Sequence, residues 1–348
     1  MNGPRWRGAL IGCGFFAANQ LRAWHCIPGV EIVALCDVNL ARAREMALAF
    51  GVRAVYDDAN VMFGQEPFDF TDIVTTVASH RELVELAAAR SKLVICQKPF
   101  AETLYDAAAM VQACRDRQVP LLVHENFRWQ RPFLEILARV RQGVIGRPAS
   151  LRLTFRHAYD IYGNQPYLAQ VERLALMDVG SHLFDLARVL LGEVHSVDCH
   201  TQRLNPAIQG EDGFLAFLRH ANAAASVVDC SFFDHSKTDL FPQTLVFLEG
   251  TSGSLELTAG YRLLERHGQT VRETLVEPDV PSWGAKPWHC IQDSVLNFQR
   301  HALSVLEGRA EPQPSGEHNR DTLAVVLAAY ASASHNRSVV ISEGQAGA

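Results

Sequence analysis

Three sets of residues in this 348-residue chain have types and spacings suited to chemistry. The first is Gly12-Cys13-Gly14-Phe15-Phe16-Ala17, a G-x-G-x-x-A turn. Gly12 suits a tight turn, Gly14 lets the backbone approach a pyrophosphate, and Ala17 lets a following helix pack closely on the preceding strand. The backbone N–H groups of Phe15 and Phe16 then face the phosphates at a helix N-terminus, with its unpaired donors and positive dipole end. Asp37 closes the next apolar run. A carboxylate there accepts hydrogen bonds from both adenosine ribose hydroxyls and repels a 2′-phosphate, which favours NAD over NADP. Arg42 and Arg44, just beyond, weigh the other way.

The second set is Thr75 and His80, Gln97-Lys98-Pro99, and Asn126, each just past an apolar run. They are candidate cofactor neighbours, although polar residues after a strand also suit any loop in water. Lys98 stands out because Pro99 holds the residue before it extended, which sets the direction of its long cation. The third set lies in "MDVGSHLFDLARVLLG" (177–192). Helical spacing puts Val179, Leu183, Leu186 and Leu190 on one stripe and Asp178, His182 and Asp185 on an adjacent polar stripe. That stripe reads as a solvated face, as a metal pair or as an acid–base pair. Asp-x-x-x-His supplies two metal ligands and nothing nearby supplies a clear third, so no metal is expected. An imidazole can take a hydroxyl proton near neutral pH, while a carboxylate one turn away orients it or grips a substrate hydroxyl.

The elements that must position these residues follow from periodicity. Through Phe127, short apolar runs ("GALI", "VEIVALCD", "DFTDIVTT", "KLVICQKP", "PLLVHENF") alternate with helical patterns. This predicts an α/β domain, a doubly wound parallel sheet of the Rossmann type over 1–127. From 128 to 348 the rhythm changes. A helix, a long strand, the 177–192 helix and then seven strand-like runs with Gly turns predict an α+β domain with a large open, mostly antiparallel sheet. Two helices, about 288–307 and 317–335, close the chain, and the last is free to pack back on the first domain. The Pro-rich "EPDVPSWGAKPW" (277–288) reads as a loop over a site or at an interface.

Composition excludes several classes. Net charge is −6 with no long basic run, which is not the footprint of a nucleic-acid binder. No apolar run is long enough to span a bilayer. The eight cysteines form no C-x-x-C pair and sit partly in apolar runs, a usage of the reducing cytoplasm. Arg5 and Arg7 before "GALIGCGFFAA" also resemble a secretory signal. Cleavage there would remove the first strand of the sheet, so the stretch is expected in the mature, cytoplasmic fold.

The glycine turn, the run ending at His80, Lys98-Pro99, "HENFRWQRP" (124–132) and Asp178-x-x-x-His182 together resemble the glucose–fructose oxidoreductase / inositol dehydrogenase / rhizopine-catabolism (Gfo/Idh/MocA) family of NAD(P)-dependent oxidoreductases. The resemblance spans nearly the whole chain. It implies that Lys98 polarises the reacting oxygen, His182 is the general base and Asp178 binds or orients. It also implies a homo-oligomer assembled through the C-terminal sheet. The family usually has Glu-Lys-Pro. Gln97 replaces the acid and removes a negative charge beside Lys98, while an amide can still bond the nicotinamide ribose.

The implied substrate is a small sugar or polyol. Lys98, Asn126, His157, Gln165, Asp178 and His182 are the candidate contacts, with Arg128, Arg156, Asp160 and Asn164 nearby and Trp129 and Tyr159 able to stack on a sugar face. "HENFRWQ" and "TTVASHRELVELAA" are similar to a branch that oxidises the free pentose D-apiose to its lactone. A cyclitol or polyol dehydrogenase and a non-catalytic dinucleotide sensor remain the alternatives.

Overall fold

The apolar runs and helical stretches of the first part become β1 (Trp6–Ile11), α1 (Ala17–His25), β2 (Val30–Cys36), α2 (Leu40–Phe50), β3 (Ala54–Tyr56), α3 (Ala59–Gln65), β4 (Phe70–Ile73), α4 (His80–Ala88), β5 (Leu93–Gln97), α5 (Leu104–Asp116) and β6 (Leu121–His124). The computed structural model describes residues 6–163, 165–235 and 241–341, so Arg5 and Asn164 lie outside the described residues. The six strands are all parallel, in the order β3-β2-β1-β4-β5-β6. That is the doubly wound order, which places a ligand crevice at the carboxyl ends beside β1 and β4. Every residue of β4, β5 and β6 is buried, as parallel strands covered on both faces require. Local signals set the helix limits. Asn39 accepts the Arg42 N–H at 3.2 Å to start α2, and Gly51 ends it at φ 69°. Thr103 Oγ1 accepts the Asp106 N–H at 3.1 Å to start α5.

The chain divides into two units. Among the described residues, one holds those through Asn126 and 294–321; the other holds Phe127–Asp293 and 322–341. The second contains α6 (Arg131–Arg141), β7 (Pro148–Arg156), α7 (Ser181–Leu191), β8 (Val194–Gln202), β9 (Gly213–His220), β10 (Ala225–Ser231), β11 (Leu245–Gly250), β12 (Ser254–Thr258), β13 (Arg262–His267) and β14 (Thr270–Leu275). The last elements are α8 (His289–Leu306), α9 (Gly316–His335) and β15 (Val339–Val340). The nine-stranded sheet runs β14-β13-β12-β11-β7-β10-β9-β8-β15, with only β7 and β10 parallel. Several of its strands alternate buried and exposed residues, most regularly β9, while β14 at the edge has no buried residue. One face packs on α7 through β7 and β10. The other carries Leu215 and Phe217 of β9 and Val227 of β10, all exposed, with Phe217 directly opposite Val227. Among the described residues no helix is long and apolar enough to cross a membrane.

Candidate active site

In the first unit the sequence-selected residues follow the carboxyl ends of successive strands. Gly12 follows β1 at φ 96°, and a Cβ there would lie 2.7 Å from the backbone C and O of Val74. Glycine at 12 is therefore a demand of the fold. Gly14 differs: a Cβ there would meet no protein atom within 4 Å. Ala17, fully buried, lets α1 pack on the sheet. Phe16 precedes α1 as its cap residue and contributes no side-chain acceptor, and exposed Phe15 brings none either, so neither competes for the helix's leading N–H groups. Buried Asp37 stitches the turn to the next loop, accepting the Cys13 N–H at 2.7 Å on one oxygen and the Asn39 N–H at 2.8 Å on the other. Each oxygen keeps a second lone pair for a ribose hydroxyl. Arg42 stands 3.7 Å from the same carboxylate. A clear approach at Gly14, a helix start without a side-chain cap and a buried acid after β2 together fit a dinucleotide.

Farther along this edge one expectation is corrected. His80 is not aimed at a cofactor. Its ring is buried, with Nδ1 3.1 Å from the Phe100 carbonyl and Nε2 3.2 Å from that of Thr75. Burial lowers its pKa, and the neutral ring has one N–H to give to one of these two carbonyls. Asn126, also buried, gives its amide NH2 to Ser294 Oγ at 2.7 Å. Thr75 keeps its place beside the turn: its methyl lies 2.9 Å from where a Gly12 Cβ would sit, and its hydroxyl accepts from Ser79 Oγ at 2.8 Å. Gln97 ends β5 with both ends of its amide engaged, Nε2 donating to Gln20 at 3.0 Å and Oε1 accepting the Lys98 N–H at 2.8 Å. Lys98 itself is half-buried and precedes a cis peptide bond to Pro99.

In the second unit the polar stripe expected on the 177–192 helix is not a solvated face. All of α7 except Val189 is buried. A π-helical turn, Leu176–Gly180, precedes α7 and carries half-buried Asp178, while buried His182 lies in the first turn of α7. The wide turn changes the phase between the two residues, a feature frequent at functional sites. Phe127 stacks flat on the His182 imidazole, with centroids 3.8 Å apart and planes 1° from parallel. Asp185 forms a buried, two-pronged ion pair with Arg128, whose Nε donates at 2.8 Å and whose other arm makes a shorter contact. Arg128 is thus corrected from sugar contact to structural partner.

His157, just past β7, is fixed on three sides. Its Nδ1 accepts the Tyr159 N–H at 3.1 Å, its backbone N–H donates to Ser231 O at 2.9 Å, and its ring stacks on Phe232 at 5.0 Å. With Nδ1 accepting, Nε2 carries the proton in the neutral ring. Asp160 Oδ1 accepts the Tyr162 and Gly163 N–H groups and builds the local turn. Gln165 accepts from the Tyr167 hydroxyl at 3.2 Å. Arg156 pairs with Asp229 at 2.7 Å and Asp234 at 3.3 Å.

The sequence reading missed Tyr162, whose phenol is pushed up to about 12 by burial first and then by Asp212, with Asp160 and Asp178 adding to the shift. It also missed the cluster in which Tyr159, Phe241 and Trp288 meet edge to face at 4.9–6.5 Å. The Pro-rich loop ending on Trp288 was the available signal. Among the described residues no three His, Cys, Asp or Glu side chains gather as a metal site.

The profile of an oxidoreductase family with an NAD-binding Rossmann fold, Gfo/Idh/MocA, matches residues 6–125, and the Gfo/Idh/MocA C-terminal domain profile matches residues 133–256. The chain belongs to the Gfo/Idh/MocA oxidoreductases. This Gfo/Idh/MocA chain is 48% identical over 335 residues to a D-apiose dehydrogenase of Paraburkholderia graminis, covering 96% of this chain and 89% of that one. It is 45% identical over 343 residues to a D-apiose dehydrogenase of Rhizobium rhizogenes, covering 98% and 99%. Among solved structures, an oxidoreductase from Agrobacterium radiobacter in complex with NAD+, L-tartaric acid and magnesium superposes with a TM-score of 0.95 at 45% identity, covering 97% of this chain and 98% of that one.

Proposed function

We propose that this Gfo/Idh/MocA oxidoreductase is an NAD-dependent dehydrogenase of a free sugar, with D-apiose as substrate and its lactone as product. The observation that carries this reading is the near full-length identity, 48% and 45%, to two D-apiose dehydrogenases. The buried Asp37 carboxylate supports NAD over NADP, since a 2′-phosphate beside it would be repelled.

The roles follow from the chemistry of the side chains. His182 takes the proton of the sugar hydroxyl, its ring plane held by Phe127. Lys98 holds the same oxygen by a charge-assisted hydrogen bond as it becomes a carbonyl. Asp178 orients the substrate or the imidazole. Bound NAD+ supplies a hydride acceptor at its nicotinamide, so the carbon loses a hydride and the oxygen a proton. Gly12, Gly14, Phe15, Phe16, Asp37, Thr75 and Gln97 form the dinucleotide side, and His157 and Gln165 the sugar side.

The exposed apolar residues Leu215, Phe217 and Val227 support assembly of a homo-oligomer through the open sheet face. None of the eight cysteines is disulfide-bonded, which supports a cytoplasmic setting.

The deciding experiment follows NADH absorbance with purified protein, NAD or NADP, and a panel of aldoses, polyols and cyclitols. D-apiose with NAD is expected to be the preferred pair. Turnover of another sugar or a cyclitol with no NADH from D-apiose overturns the substrate reading.

A further inference from the structure

Asp72 sits in β4 with no exposed surface, an unusual place for a carboxyl group. Trp24 Nε1 of α1 donates to it at 2.8 Å, and Gln20 Nε2 of the same helix donates to its two oxygens at 2.8 and 2.9 Å. Gln20 Oε1 accepts from Gln97 Nε2 at 3.0 Å, and Gln97 Oε1 accepts the Lys98 N–H at 2.8 Å. The main-chain oxygen of Gln20 also accepts from Gln299 Nε2 at 3.1 Å, so the helix is held at the same point from α8. Gln20 and Gln299 are fully buried, and Gln97 nearly so.

These bonds form a chain of one polarity. An ionised carboxylate accepts only, so Gln20 must turn its NH2 toward Asp72. That leaves its oxygen for Gln97, which must answer with NH2. The Gln97 oxygen is then left for a backbone N–H, which cannot reverse its role. We infer that Gln20 and Asp72 are positioning residues for Lys98, and that Gln97 is the residue at its position that suits an ionised acid at 72. The functional weight of the chain rests on the role proposed for Lys98.

The matching is chemical. A glutamate at 97 would accept from the Lys98 N–H and would need a donor from Gln20. Gln20 would have to reverse, present its oxygen to Asp72, and require a proton there. Glutamine at 97 therefore goes with ionised Asp72, and glutamate at 97 with protonated Asp72. Burial pushes the Asp72 carboxyl up to about 7, against the Trp24 and Gln20 bonds, so the choice between forms falls in an accessible pH range. The other groups facing Asp72 do not interfere. Leu10 and Ile95 are its register partners on β1 and β5, and the neighbouring Cys96 thiol is held neutral, pushed well above its usual range by burial and then by Cys114 and Asp72.

The test compares four full-length proteins: wild type, Q97E, D72N and D72N/Q97E. On the sugar that wild type oxidises, the ratio of kcat/KM for Q97E to that of wild type should fall by more than about tenfold from pH 6 to pH 9, the scale of one buried hydrogen bond lost. The side-chain amide that D72N introduces can present either a donor or an acceptor, so the ratio of D72N/Q97E to D72N should be flat with pH and higher at pH 9. A purely structural role would depress both ratios without a pH trend. The urea midpoints of the same proteins, read with no substrate, should show the same crossing. If wild type oxidises no sugar, the proposed function fails while the midpoints still decide the relay. If Q97E does not fold, recovery of folded protein in D72N/Q97E is the expected result. A Q97E ratio that does not change with pH, an equal decline in the D72N background, or no recovery of folding overturns the inference.

Discussion

Gly12 and Gly14 lie two residues apart in one turn, yet replacing each by alanine should fail in opposite ways. At Gly14 the backbone angle is not in the left-handed region and a Cβ would meet nothing within 4 Å. Alanine there should leave the fold unchanged or stabilise it by about 0.4–1 kcal/mol, through the less flexible unfolded chain. The methyl instead occupies the approach reserved for a pyrophosphate, so NAD affinity should fall at least about tenfold, equivalent to about 1.4 kcal/mol. At Gly12 the order reverses. A φ of 96° and a Cβ 2.7 Å from the Val74 backbone give both conformational strain and overlap with atoms that cannot rotate away. The left-handed backbone costs about 1–2 kcal/mol and the overpacking about 1–3 kcal/mol, so G12A should lose about 2–5 kcal/mol before any cofactor is added. Urea unfolding of the cofactor-free protein and calorimetric titration with NAD separate the two effects. If G14A loses more than about 1 kcal/mol of stability, or binds NAD as wild type does, the assignment of the turn is wrong.

Removing one member of the buried Arg128–Asp185 pair should be costly. R128M is expected to lose about 3–5 kcal/mol, while R128M/D185L should recover most of it; an equally unstable double variant, measured by urea unfolding, would count against an energetic pairing. D37S should weaken NAD and improve NADP, read as the ratio of kcat/KM for the two cofactors, and an unchanged ratio would remove Asp37 from cofactor selection. Burial depresses the pKa of His80, so its stabilisation is full above the unfolded value near 6.5 and is lost as pH falls through that value toward the folded one. H80N should flatten this part of the acid limb in urea midpoints taken from pH 8 to 5, and an unchanged slope would refute the assignment.

Much of the fold was legible because its signals are repeated. Continuous apolar runs ending in Cys36, Ile73, Gln97 and His124 are what a doubly covered parallel sheet needs, and the alternation along β9 marks a half-buried antiparallel strand. The three-residue β3 and two-residue β15 offer too few positions for any period to register. At the site, spacing put Gly12, Asp37 and Lys98 just past strand ends because strand-end placement is a property of local sequence. It could not give the partners of His80, Asn126, Arg128 and Asp185. Those partners are the Phe100 and Thr75 carbonyls, Ser294, and each other 57 residues apart, and helical or strand periodicity does not say which groups a side chain will bond. Tyr162 and Trp288 sit in irregular segments, where no period exists to read.

The π-helical turn at Leu176–Gly180 amounts to one residue too many for the helix that contains it. A helix advances about 100° per residue, so deleting one residue there, for example Val179, would restore an ordinary helix and swing Asp178 around the axis relative to His182 by about that angle. Sequence spacing in this segment is therefore not a measure of angle. Two homologues can share an Asp and a His on a helix and aim them differently if one has lost the extra residue. Within such a lineage, a single-codon deletion would be a larger change to the acid–base pair than many substitutions of the residues around it.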